Sequence, residues 1–182
     1  MGKVILITGG SRSGKSTFAE RLLQNRDDVL YIATAAVTDK EMEKRIKKHR
    51  ERRNPKWETF EGYKGLHNIV DEYKHKYIML ECIGTMITNI IFDEECDFDN
   101  MCAEDIEKLR DDIKRQIEEF IKSVKEKDRE VIIVTNEVGW SLVPEYKLGR
   151  IFSDILGYLN QFIGSVSDEV YLVACGFPMK LK

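Results

Sequence analysis

Eight consecutive residues, Gly9-Gly10-Ser11-Arg12-Ser13-Gly14-Lys15-Ser16, hold more recognisable chemistry than any other stretch of this sequence. They satisfy the pattern G-x-x-x-x-G-K-[ST] at every fixed position. Glycines let the backbone curl until its N–H groups face inward onto phosphate oxygens. A helix starting at the end of the loop adds its positive N-terminus to the same anion. In such a loop Lys15 reaches the outer phosphates of a nucleotide and Ser16 ligates Mg²⁺. The arrangement also calls for an acidic residue at the end of a neighbouring strand, to hold the metal or its water. Glu81 follows the run Tyr77–Leu80 directly, and Glu137 follows Val131–Asn136. Both fit. The direct placement favours Glu81, although Asp is the more usual residue there.

A second chemical feature is His49. Thr38-Asp39-Lys40-Glu41 is a capping box, so a helix is predicted to start there and to end before Pro55. Met42, Ile46, His49 and Arg53 share one stripe of that helix. Lys47, Lys48, Arg50, Arg52 and Arg53 crowd around His49. Positive neighbours oppose protonation of an imidazole and leave it a free lone pair. The same cations can hold an incoming phosphate, and a neutral imidazole beside them is suited to attack phosphorus. Spacing alone leaves two other readings open: a packed or surface histidine, and a basic run that is only a solvated face. Nothing comparable surrounds His67 or His75.

These residues need a scaffold. Val4–Thr8, Val29–Thr34, Tyr77–Glu81, Val131–Thr135 and Val170–Ala174 are apolar, largely β-branched runs, the signature of strands covered on both faces in a parallel sheet. Helical stretches between them supply the crossovers. Ser16–Gln24 reads as one helix, with Phe18, Ala19, Leu22 and Leu23 as its apolar stripe. Ala103–Lys127 reads as the longest, with Ile106, Leu109, Ile113, Ile117, Phe120, Ile121 and Val124 on one face. The acidic segment Asp93–Asn100 reads as a loop. The fold class is therefore α/β, with helices flanking a mainly parallel sheet.

The chain has 182 residues, 42% of them hydrophobic, with 29 Lys+Arg against 32 Asp+Glu. That length suits one domain over 1–182, large enough for a full core without staples. Abundant apolar residues argue against disorder. The near balance of charge gives no general affinity for nucleic acid. No apolar run reaches the roughly 20 residues of a membrane span, and the short apolar start does not resemble an export signal. Cys82, Cys96, Cys102 and Cys175 form no C-x-x-C pair and are expected to be reduced structural thiols, which fits a cytoplasmic location; spacing allows a Cys96–Cys102 link, but nothing in the sequence requires it.

Beyond the loop, several blocks occur in a selective order. Arg45-Ile46-Lys47-Lys48-His49-Arg50 leads into Arg53, Trp57, Thr59 and Glu61. Leu80-Glu81-Cys82 is followed by Thr85-Met86-Ile87-Thr88-Asn89. Val134-Thr135-Asn136-Glu137-Val138-Gly139 is followed by Val143-Pro144-Glu145, Arg150, Asp154, Gly157, Asn160 and Gln161. With the loop and Leu30–Thr34, these blocks resemble, nearly end to end, the bifunctional adenosylcobinamide kinase/adenosylcobinamide-phosphate guanylyltransferases of cobalamin biosynthesis. The resemblance implies a RecA-like P-loop fold and a homotrimer. It implies phosphorylation of adenosylcobinamide with ATP or GTP, then transfer of GMP from GTP through a guanylyl-histidine matching His49. It also places nucleotide contacts on Gly9–Ser16, on Ala33, Thr34 and Ala35, on Arg50, Glu51, Arg52 and Arg53, and on Glu61 and Glu81. Two other readings are a plain P-loop small-molecule kinase with a structural His49, and a nucleotide-gated RecA-like module without catalysis.

Overall fold

A computed structural model of the chain describes residues 2–35, 53–94 and 97–182. Seven strands form one sheet: β1 (Lys3–Thr8), β2 (Val29–Ala33), β3 (Glu58–Glu61), β4 (Tyr77–Glu81), β5 (Glu130–Val134), β6 (Glu169–Ala174) and β7 (Phe177–Lys180). Their spatial order is β3-β2-β4-β5-β1-β6-β7. Every neighbouring pair is parallel except β6–β7, which is antiparallel.

The described helices are α1 (Lys15–Leu22), α2 (Leu66–Glu72), α3 (Ile83–Asp93), α4 (Ala103–Glu126) and α5 (Lys147–Val166). Side chains alternate across each strand, which divides the core into two layers. Val4, Leu6, Ile32, Ile78, Leu80, Val131 and Ile133 bury one face against α2, α3, α4 and α5. Ile5, Ile7, Tyr31, Met79, Ile132 and Val134 bury the other against Ala19 of α1 and Leu23 just after it, with Trp57 and Val173. The expected buried face of α4 holds from Leu109 to Val124, while Ile106 is only half-buried at its start.

The five expected strands are present, within a residue at either end. Two strands were not expected, β3 and β7. The first helix begins one residue earlier than expected and ends at Leu22 rather than Gln24; Leu22 itself is 42% exposed, so the apolar stripe is carried by Ala19 and Leu23 instead. Asp93 belongs to the last turn of α3 rather than to the acidic loop that follows. The helix expected from Thr38 lies outside the described residues up to position 52.

Parallel register sets the site. Glu61, Ala33, Glu81, Val134 and Ile7 lie in one row across β3, β2, β4, β5 and β1. The row runs along the carboxyl ends of the strands, where open α/β sheets bind their ligands. Among the described residues, no helix is long and apolar enough to cross a membrane.

Candidate active site

The loop between β1 and α1 is fastened by backbone on both sides. The Glu137 N–H donates to Gly9 O at 2.9 Å, and the Gly176 N–H donates to Ser13 O at 2.8 Å. Gly9 has no room for a side chain, because a Cβ there would lie 2.4 Å from Val173 O. Gly14 precedes α1 with φ 97°, a conformation that favours glycine. The Ser13 hydroxyl is buried with no hydrogen-bond partner, an unspent donor inside the cradle.

Lys15 is 8% exposed, and its ammonium donates to Gly10 O at 3.0 Å. The cation is thus folded back over the loop, where an anion would lie. Ser16, one residue into α1, donates its hydroxyl to Glu81 Oε1. Register accounts for this reach: Glu81 ends β4, which is separated from the loop-bearing β1 by β5 alone. The second Glu81 oxygen, Oε2, accepts from the Tyr31 hydroxyl at 3.0 Å. Burial above all, then the Glu81 charge, pushes the Tyr31 phenol far above its ordinary range, so it stays a donor. The Arg53 guanidinium lies 3.1 Å over the Tyr31 ring centroid and donates to Thr59 Oγ1 at 3.0 Å.

Of the two acidic candidates, Glu81 is the one that meets Ser16. The Glu137 carboxylate turns back to accept from the Gly139 N–H at 2.8 Å, so Glu137 shapes the loop's surroundings instead. A hydroxyl and a carboxylate form an all-oxygen donor pair that suits Mg²⁺, which keeps most of its own waters. No cluster of three His, Cys, Asp or Glu side chains that could hold a metal occurs among the described residues.

Two cavities flank Arg53. One, of about 230 Å³, runs from Lys15 and Ser16 past Tyr31 and Glu81 to the start of α3. The other, of about 400 Å³, is lined by Arg53, Pro55, Trp57, Thr59 and Glu61. Ala33 and Ala35 line the first. Thr34 is 1% exposed, and its hydroxyl is engaged with the Glu81 and Cys82 backbone, so its side chain braces the strand ends. The Glu81–Cys82 peptide is cis.

Sequence comparison decides the family. The family profile described as cobinamide kinase / cobinamide phosphate guanyltransferase matches residues 5–181. The chain belongs to that family. It is 40% identical over 181 residues to the bifunctional adenosylcobalamin biosynthesis protein CobU of Escherichia coli strain K12, covering 98% of this chain and 99% of the relative. The CobU of Salmonella typhimurium is also 40% identical, with 98% and 99% covered. The CobP of Pseudomonas aeruginosa is 35% identical, with 97% and 96% covered. A KaiC-like protein of Pyrococcus horikoshii superposes with a TM-score of 0.49 at 13% identity, over 93% of this chain and 70% of that one.

Within this family member, the fold gathers Lys15, Ser16, Ala33, Ala35, Arg53 and Glu81 around one cavity, with Gly9–Gly14 leading into it along the chain, while Glu61 faces the second cavity. His49, Arg50, Glu51 and Arg52 lie outside the described residues. Sequence reasoning gave no role to Tyr31, Thr85, Thr88 or Asn136. In the sequence Tyr31 is one apolar residue of a strand, and only the cross-strand register turns its hydroxyl onto Glu81.

Proposed function

We propose that the chain carries out both family reactions, phosphorylating adenosylcobinamide with ATP or GTP and then transferring GMP to it from GTP. The observation that carries this reading is the Lys15–Ser16–Glu81–Tyr31 constellation on a fastened phosphate loop. Loop amides and Lys15 cradle the outer phosphates. Ser16 and Glu81 would hold Mg²⁺, which when bound offsets the triphosphate's negative charge. In the kinase step the acceptor hydroxyl bonds to the γ-phosphorus, and the nucleoside diphosphate leaves on the β–γ bridging oxygen.

His49 is proposed as the nucleophile of the second reaction. Its imidazole bonds to the α-phosphorus as pyrophosphate leaves, and the acceptor's phosphate then displaces the imidazole. Two displacements at one phosphorus replace a single direct one. Arg50, Arg52 and Arg53 supply positive charge for both, Arg53 from its seat on Tyr31. Glu61 and the Ala33–Ala35 strand end face the side where the guanosine is proposed to lie. The working assembly is proposed to be a cytoplasmic homotrimer.

The test is incubation with GTP labelled at the α-phosphate, followed by denaturation. An acid-labile, base-stable label is expected on the wild type. His49→Ala should lose it while still phosphorylating adenosylcobinamide. An unlabelled wild type that retains kinase activity would leave a plain kinase with a structural histidine.

A further inference from the structure

The first cavity is also lined by residues that the phosphate reading leaves unused. These are Cys82, Gly84, Thr85 and Thr88 from the start of α3, Asn136 from the end of β5, and Phe152 of α5. The whole space, about 230 Å³, lies below the roughly 300–1,000 Å³ of pockets that enclose a drug-sized ligand. It is too small for a corrin macrocycle or an entire nucleoside triphosphate, and it suits a short chain of a few heavy atoms. Lys15 and Ser16 line the same space, so a short chain seated in it lies beside the place proposed for the outermost phosphate.

We infer that this part of the cavity is the subsite for the hydroxyl-bearing amino-alcohol arm of the acceptor, with the macrocycle held outside. The inference rests on reading Lys15 and Ser16 as the phosphate end of a kinase. The wall chemistry matches a short aliphatic alcohol: the Phe152 ring is apolar, and few polar groups remain available to the arm. Thr88 already donates to Gly84 O at 2.9 Å, and Thr85 is paired with Cys82 Sγ at 2.7 Å. The Asn136 carboxamide differs. Its backbone carbonyl accepts from Asn160, yet the carboxamide has no hydrogen-bond partner among the described residues. It lies across Gly84, where an added Cβ would come within 3.0 Å of its nitrogen. Asn136 is therefore the group that fixes the arm. The arm's oxygen then bonds to the γ-phosphorus, the bridging oxygen leaves with the nucleoside diphosphate, and the hydroxyl proton passes to an oxygen of the transferred phosphoryl group.

Two variants test the assignment, Asn136→Ala, which removes the polar group, and Thr88→Leu, which fills the space. Each is assayed for kinase KM toward adenosylcobinamide and for Kd of a fluorescent N-methylanthraniloyl GTP. Both are expected to raise the acceptor KM by about tenfold or more, the scale of one lost hydrogen bond, with the nucleotide Kd unchanged. An unchanged acceptor KM in Asn136→Ala overturns the inference. So does a parallel weakening of nucleotide binding in Asn136→Ala, which would assign the space to the nucleoside. Should Thr88→Leu fail to fold, Asn136→Ala decides alone. Loss of the guanylyl-histidine reading leaves this assay intact, because the kinase step does not pass through His49.

Discussion

Glu81 is held by two hydroxyls, one on each carboxylate oxygen, and they come from opposite sides of the site. Ser16 ties it to the phosphate loop, and Tyr31 ties it to the strand beneath Arg53. Removing the phenol oxygen in Tyr31→Phe deletes a hydrogen bond to a charged group, worth about 1.5–3 kcal/mol in a buried setting. Urea unfolding should show a loss on that scale, with kinase kcat falling more than nucleotide affinity. Lys15→Ala removes the buried cation at the outer phosphates and should lower kcat of both half-reactions by about two to three orders of magnitude. An unaltered rate would remove the phosphate loop from the mechanism. At this scale the sequence was legible where a motif fixes neighbours along the chain, as in Gly9–Ser16. Glu81 could be picked out because it ends an apolar run. Tyr31 could not, because its partner is fixed by cross-strand register, and a tyrosine inside an apolar strand is indistinguishable from core.

At the level of elements, runs buried on both faces betrayed themselves and edges did not. β3 is four residues long with both of its glutamates exposed, and β7 contains Pro178 and has every residue exposed. Neither offers a hydrophobic period to read. β7 is held to the sheet partly by charge. Glu169 of β6 receives Lys3 of β1, Tyr171 of its own strand and Lys180 of β7. Hydrogen bonds from these three groups hold its carboxyl at about 2, below the ordinary 4.5. A depressed carboxyl pKa stabilises the fold above the unfolded value, and that stability is lost as pH falls from about 4.5 toward 2. Thermal melts between pH 5 and pH 3 should therefore fall more steeply for the wild type than for Glu169→Gln. On α4, Phe120 is fully buried, and Phe120→Ala should cost about 3–5 kcal/mol by calorimetry or urea titration.

Across the molecule, the sheet brings distant sequence to one edge. The phosphate loop, Glu81 and Asn136 come from three separate crossovers, and they meet only because β1, β5 and β4 are adjacent. Sedimentation equilibrium should give three times the chain mass if the proposed trimer forms, and a monomer at working concentration would refute it. Parallel order was legible from the continuous apolar runs, but the order of the strands was not. Adjacency is a tertiary choice that no local pattern encodes.

The turn between β6 and β7 has a genetic corollary. Gly176 binds the loop at Ser13, and Val173 O closes over Gly9, although neither residue lines the space around Glu81. A nonsense codon at Cys175 would spare Lys15, Ser16, Tyr31 and Glu81 and still unlatch the nucleotide seat, because Gly176 would be lost. Truncation or frameshift ahead of Gly176 should therefore score as loss of nucleotide binding, which a binding titration of the shortened chain would read.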